Sequence, residues 1–393
     1  MANTILTPTA VTREALRILH QKLNFVGTIT RDYDSSFAQS GARIGDTLKI
    51  RKPNQFTVRS GANLSTQDVT EQSVSLQISQ QKGVDVQFSS VELTLDLDDF
   101  SARILDPAMS VLAANIEADA MSMYKDVANS VWNGASALTL AKVLAGRKIL
   151  QNALAPLNAR TANLNTQDNV DMVSDTKGLF QDSTAIAEQY REGYMGRTAG
   201  FDFMENTLWP AHTRGAAGTG YLVNDTYAAG DTAITVDTGT GAAKKGDVFT
   251  IASVNRVHPE SKISTGIPYQ FVLGADFAGG SGDLTLGQAV YASGPLQNVD
   301  ALPADNAAIT WLGTASTAVG TSLLYQEGAF AFATADLQMP NGVDFAAREV
   351  MDGISLRIVR DYDISTDNFP CRIDVLYGYK TLRAQLACRL HNN

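Results

Sequence analysis

The chain has 393 residues, of which 44% are hydrophobic and only 18% charged, and its net charge is −10. That length suggests two or three structural units with ample core. The acidic balance excludes a protein built to coat DNA, which needs many cations on one face, and charge below the ~25% of ordinary soluble chains leaves uncharged surface that subunit contacts would cover.

Residues 1–42 read as an arm. Thr12 can cap a helix running to about Leu23, with Ala15, Leu16, Leu19 and Leu23 on one side. Arg13, Arg17 and Lys22 point toward the other, which suits a solvated face or a place near nucleic acid. Between Gly45 and Leu95 the hydrophobic period changes to two. Asp46 to Arg51 is a short strand; Val74, Leu76 and Ile78 alternate with Ser73, Ser75, Gln77 and Ser79, and Val84, Val86 and Phe88 with Asp85, Gln87 and Ser89. Gln81-Lys82-Gly83 between them supplies a turn, making a long hairpin. It has no bulky apolar cluster of its own, so Val74, Leu76, Ile78, Val84, Val86 and Phe88 are predicted to be subunit-interface residues covered by a neighbouring copy.

The longest predicted element starts at Asp106-Pro107, a cap followed by the first-turn residue that needs no donor, and runs to Val131. Met109, Leu112, Ala113, Ile116, Ala120, Met123, Tyr124, Val127 and Val131 follow a helical period over roughly 37 Å, with Glu117 and Asp119 on the polar side. Ala114 and Ala118 would let a second layer approach, which predicts a helix lying across a sheet.

Leu138 to Leu154 is a second helix ended by Pro156, Thr161 to Leu164 a strand, and Gln167 to Phe180 and Ser183 to Arg191 two further helices. Fifteen of the 31 glycines then fall between Gly215 and Gly313, where Ala233 to Val236, Asp247 to Val254, Tyr269 to Leu273 and Ala308 to Leu312 read as strands. This shift in composition marks an inserted β-rich domain. Ser355 to Arg360, Arg372 to Tyr379 and Ala387 to Leu390 are strands that would return to the sheet crossed by the long helix.

Sites for chemistry are hard to find. His20, His212, His258 and His391 are scattered, with no metal-ligand spacing, and Cys371 and Cys388, in no CxxC arrangement, read as buried thiols. The glycine-rich runs at Gly215 to Gly220 and Gly239 to Gly241 complete no phosphate-binding pattern, and Asp283 stands where a nucleophile elbow needs glycine. Asp96, Asp98 and Asp99 lack the rest of a calcium loop and suit capping better. The sequence therefore points to no catalytic, cofactor-binding or metal-ligating residue, and to no enzyme. Met1 to Ile5 carries no basic leader and no run reaches the ~18 apolar residues of a membrane span, so a soluble, reducing compartment is expected and no membrane partner.

Several segments together resemble the major capsid (coat) proteins of tailed bacteriophages, in the insertion-domain-bearing podovirus type. They are Lys177-Gly178-Leu179-Phe180-Gln181 with Ile186 to Arg191, Gly196 to Asp202, His212-Thr213-Arg214-Gly215, Gly246 to Ile251, Asp361 to Ile364, and Phe369 to Gly378. Their order and spacing carry the likeness over nearly the whole chain.

The resemblance implies an α+β fold of the Hong Kong 97-type, shared with herpesvirus shells. Its expected divisions are an N-terminal arm (1–42), an extended loop with peripheral strands (43–95), a spine helix (96–135), an axial domain (136–219 and 313–393) and an inserted small β-barrel (220–312). It implies a major capsid protein that assembles with itself, as pentamers and hexamers, into the icosahedral shell of a virion, in the host cytoplasm. The shell would enclose double-stranded DNA without sequence-specific binding, with a scaffolding protein and a portal as partners. A cellular nanocompartment shell of the same fold, encapsulin-like, is the alternative.

Overall fold

The computed structural model describes residues 8–33, 47–89 except 60, 65 and 70, 104–177, and 196–392 except 226, 344, 352, 366 and 367. The helix expected at Ser183 to Arg191 and the acidic run Asp96 to Asp99 lie outside these residues, as does the side chain of His20. The chain divides into two units, one of Met1–Arg51, Ser73–Met121 and Phe330–Leu382, the other of Lys52–Gln72, Ser122–Ala329 and Arg383–Asn393.

In the first unit, a six-stranded sheet is organised around β20 (Asn368–Thr381), long enough to carry three partners. On one side it pairs antiparallel with β17 (Phe330–Ala335) and β19 (Ile354–Arg360), and on the other with β4 (Gln80–Ser89). β1 (Thr30–Tyr33) runs parallel to β17, and β18 (Phe345–Met351) closes the far edge on β19. β2 (Thr47–Arg51) and β3 (Ser73–Gln77) form a separate two-stranded ribbon.

Two helices belong to this unit, α1 (Pro8–Lys22) and α2 (Asp106–Met121), and they pack on each other. The apolar side of α1 is buried as its period predicts, with Ala15, Leu16 and Leu19 fully enclosed. Its start differs from expectation: Pro8 opens the helix, a position that loses nothing by lacking a donor, and Thr12 is buried inside rather than capping it. Its cations are paired, Arg17 with Glu14 at 2.6 Å and Lys22 with Asp106 at 3.3 Å.

The expected single helix to Val131 is a correction. The α-helix stops at Met121 after about 24 Å, and Ser122–Asp126 winds as a 3-10 turn closed by Val127 N–H donating to Tyr124 C=O at 3.1 Å. Tyr124 and Val127, three apart, are both buried, as that tighter period requires. Beyond them Ser130–Trp132 forms strand β5, where the β-branched and aromatic side chains of Val131 and Trp132 suit a ladder better than a helix. Among the described residues Ala118 is exposed and no layer covers it, and Glu117 is buried rather than polar-side.

The second unit is built on a seven-stranded sheet in the order β5, β21 (Ala387–Asn392), β16 (Ala318–Gln326), β6 (Arg160–Leu164), β8 (Phe201–Glu205), β7 (Arg197–Thr198), with β9 (His212–Thr213) also on β16. Helix α3 (Leu140–Asn152) packs on β16 and β21 through Val143, Gly146 and Leu150; a Cβ at Gly146 would stand 2.5 Å from Leu324 Cδ1. Helix α4 (Thr166–Thr176) is capped by Asn165, whose side chain accepts from Asp168 N–H at 2.7 Å. The late strands thus do not return together. β19 and β20 join the first unit's sheet and β21 joins the second's.

Within this unit, residues 215–313 form two three-stranded sheets. One is β10 (Leu222–Val223), β11 (Ala233–Asp237) and β14 (Gly282–Thr285); the other is β13 (Ser264–Val272), β12 (Val248–Val257) and β15 (Ile309–Trp311). Single bridges, Leu222 to Ala308 and Leu273 to Leu286, join them around a shared core. Phe249 anchors it, stacked on Phe271 at 5.4 Å and against Trp311 at 5.0 Å.

Candidate assembly surfaces and a buried polar anchor

The six predicted interface residues do not lie on one hairpin. Residues 73–77 pair with 47–51, whereas 80–89 run unbroken along β20, and Gln81-Lys82-Gly83, expected as a turn, sits in register with Asp374 to Leu376. Gly83 is required there by the neighbour, since a Cβ would come 2.4 Å from Ile373 C=O. Lys82 reaches Asp119 of α2 at 2.7 Å, and Tyr377 Oη donates to the same carboxylate at 2.5 Å. A polar pattern that resembles a turn is here a strand fastened to a helix.

Leu76 and Ile78 are therefore corrected as interface candidates. They are 0% and 1% exposed, packed with Ala331, Ala333, Ala335 and Leu376 in the subunit's own core. Val74, Val84 and Val86 are half-buried, and the Phe88 side chain lies outside the described residues. Among the described residues, the segment joining β2 to β3 carries a run of uncovered apolar side chains, with Phe56, Val58, Leu64 and Val69 all more than half exposed. Lys52 N–H donates to Gln72 C=O at 2.7 Å at its base, and Thr57 N–H donates to the Gln67 side chain at 2.9 Å further out.

Two apolar-free contacts hold the start of the first unit. Glu117 accepts from the backbone N–H groups of Phe25 and Val26, each at 3.0 Å, satisfying donors at the short 3-10 turn Val26–Thr28. That need for an acceptor explains why a carboxylate is buried in α2.

The second unit contains a polar cluster that sequence reading missed. Gly246, in left-handed geometry at φ +94°, turns the chain into β12 and leaves Asp247 fully buried. The Asp247 carboxylate accepts from His212 Nε2 at 3.0 Å, Gly215 N–H at 2.9 Å and Lys244 N–H at 2.9 Å. Burial alone would raise this carboxyl, but the donors from His212, Lys244 and Gly215 outweigh it and hold it below its ordinary value. His212 Nδ1 lies 3.3 Å from Tyr124 Oη, and its ring is 5.7 Å from that of His391, which also packs on Trp132. Arg389, fully enclosed, stands over the Tyr124 ring at 5.9 Å, and burial pushes its guanidinium down to about 10.

This cluster secures both ends of residues 215–313. Arg214 donates to Gly313 C=O at 2.6 Å and also to Ala217 C=O, clasping the outgoing and returning chain. At Gly215 a Cβ would meet Ala242 C=O at 2.5 Å; at Gly313, φ +90°, it would strike the Trp132 ring at 2.5 Å. Among the described residues, a space of about 10 Å³ lies between these groups, about the room of one water. The His–Asp–Tyr arrangement therefore acts as an anchor. Cys371 and Cys388 are free and buried, their thiols pushed up to about 11 and 12 by burial. Among the described residues no group of three or more potential metal ligands occurs, and no helix is long and apolar enough to cross a membrane.

A family model described as P22 coat protein, gene protein 5, matches residues 7–388. The chain belongs to the P22 coat protein family. It is a major capsid protein, a component of a virion shell, with the α+β class expected from its sequence, and the match to a phage coat protein favours that role over a cellular nanocompartment. No curated protein matches this coat protein by sequence. Solved structures similar to it include one titled Mycobacterium phage Che8, at 11% identity over 94% of this chain and 90% of that one with a TM-score of 0.48. The asymmetric unit of the bacteriophage PhiM1 mature capsid matches at 10% identity over 94% and 87%, TM-score 0.46. A virus-like particle from Pyrococcus furiosus matches at 7% identity over 97% of both chains, TM-score 0.38. The assignment rests on the family match.

Proposed function

We propose that this coat protein closes an icosahedral shell of pentamers and hexamers around double-stranded DNA, without sequence-specific contacts and without catalysing a reaction, and that a scaffolding protein and a portal take part. The observation that carries this reading is the family match over residues 7–388. In this reading residues 1–42 are the arm, 43–95 the extended loop with peripheral strands, 96–135 the spine, 136–219 and 313–393 the axial domain, and 220–312 an inserted β-barrel. Contacts between copies would be heterologous, repeating around five-fold and quasi-six-fold centres.

The extended loop is the proposed assembly element. Phe56, Val58, Leu64 and Val69 would be covered by a neighbouring copy, with Val74, Val84, Val86 and Phe88 contributing from the adjoining strands. Each side chain fully buried there would supply about 1.5–3 kcal/mol before ordering costs, repeated at every contact of the shell. What supports this is the exposure of Phe56, Val58, Leu64 and Val69 in the segment joining β2 to β3. Sedimentation of the purified chain with increasing concentration, alone and with a scaffolding protein, should give large homo-oligomers. Monomer under every condition would contradict the reading.

A further inference from the structure

Helix α3 stands apart from the acidic chain that carries it. Its thirteen residues include Lys142, Arg147 and Lys148 and no carboxylate, in a protein of net charge −10. Val143, Gly146 and Leu150 are its buried stripe. At roughly 100° per residue, Lys142 and Arg147 flank that stripe on either side, and Lys148 points away from it. Lys148 is exposed and the other two half-buried, so cations border the outward arc and stand within it.

Several carboxylates of this unit are engaged elsewhere. Asp171 and Asp175 of α4 accept from the N–H groups of Leu138 and Leu140 at 3.1 and 2.7 Å, at the start of α3. Glu205 accepts from Asn169, and Asp202 pairs with Arg197 at 3.6 Å. Among the described residues Lys142, Arg147 and Lys148 make no ion pair. The Arg147 guanidinium lies against Gly200, in the β7–β8 turn. It also stands close enough to the buried Arg160 that, after burial itself, its charge lowers that guanidinium's proton affinity. Arg147 and Arg160 repel one another, and an external anion at the α3 face would relieve that repulsion.

We propose that the outward face of α3, with Lys142, Arg147 and Lys148, is where the coat protein meets the phosphate backbone of the enclosed duplex DNA. This rests on the DNA-enclosing reading above. A polyanion fits better than a folded acidic partner because the helix offers only Leu144, 42% exposed, as an apolar anchor on that arc. Three phosphate contacts per copy are weak and sequence-independent singly, and they tolerate a net acidic protein.

The test uses the full chain, a random-sequence linear DNA duplex and a salt series read by fluorescence anisotropy. The combined variant Lys142→Gln, Arg147→Gln, Lys148→Gln keeps good helix formers and should fold as judged by circular dichroism. Its slope of log affinity against log salt should be shallower than the native by about 0.9 per lost contact, so about 2.7 for three. A charge-matched control, Arg13→Gln, Arg17→Gln, Lys22→Gln, should keep the native slope. An unchanged slope in the α3 variant, equal losses in both variants, or no native binding at low salt would overturn the assignment. So would loss of shells, or of a bound acidic protein, with the DNA slope intact, since the face would then be a protein contact. Nuclease-protected DNA in native particles is scored separately: its absence fails the enclosing reading, whereas its presence with an unchanged slope fails only the α3 face.

Discussion

Replacing Leu76 by alanine should destabilise the folded subunit before it affects any contact between subunits. Leu76 is 0% exposed, opposite Leu48 in the β2–β3 ribbon and packed with Ala331, Ala333, Ala335 and Leu376. Three of these neighbours are alanines, with little side chain to move into the space left behind. Leu-to-Ala changes in cores cost about 2–5 kcal/mol, and a site that cannot collapse falls toward the upper end. Against a total stability of about 5–15 kcal/mol, that is a large fraction. By contrast, Phe56→Ser, Val58→Ser and Leu64→Ser alter exposed side chains and should each change stability by no more than about 0.5 kcal/mol while impairing particle formation. Urea unfolding followed by circular dichroism, beside sedimentation of the same proteins, reads both effects. An alanine variant with native stability and no particles would refute the placement of Leu76 in the subunit core.

Further expectations follow from the polar contacts. Asp247→Asn can still offer its amide oxygen to Gly215 and Lys244 but removes the charge from those bonds and sets an amide N–H against His212 Nε2, and should cost about 1.5–3 kcal/mol in urea unfolding. Glu117→Gln should weaken the two bonds to Phe25 and Val26, raising hydrogen exchange at those amides while leaving β20 protected. The ring of His391 is held well below its ordinary value by burial first, then by the charges of Arg389 and His212. Between that lowered value and about 6.5 the unfolded chain binds a proton that the folded chain does not, so stability should rise with pH through this window and be lost as pH falls. The change is at most about 1.4 kcal/mol per pH unit, and His391→Asn should flatten it in unfolding midpoints taken from pH 5 to 7.5.

Local periodicity made much of the fold legible. The apolar face of α1, the helix α3 and the strands at 233–237, 248–257, 354–360 and 368–381 stand close to where alternation and helical spacing put them. What failed is pairing, which depends on residues far away in sequence. The break at Ile78-Ser79 and the polar run Gln81-Lys82-Gly83 are equally compatible with a hairpin and with two strands joining different partners, and β20 decides between them. The helix end at Met121 was hidden because Tyr124 and Val127 fit a helical stripe as well as a 3-10 turn leading into β5. The anchor was invisible for the same reason: His212 and His391 stand 179 residues apart in sequence and come to a 5.7 Å ring separation only through β9, β16 and β21. The paired glycine and aspartate at 246 and 247 were its one local trace.

Electron microscopy of the purified, full-length chain tests the central claim most directly. Closed, roughly spherical shells with five-fold vertices, built from this chain as the repeating protein, are the predicted result. A dispersed monomer, or open aggregates without repeating capsomers even when a scaffolding protein is supplied, would contradict it.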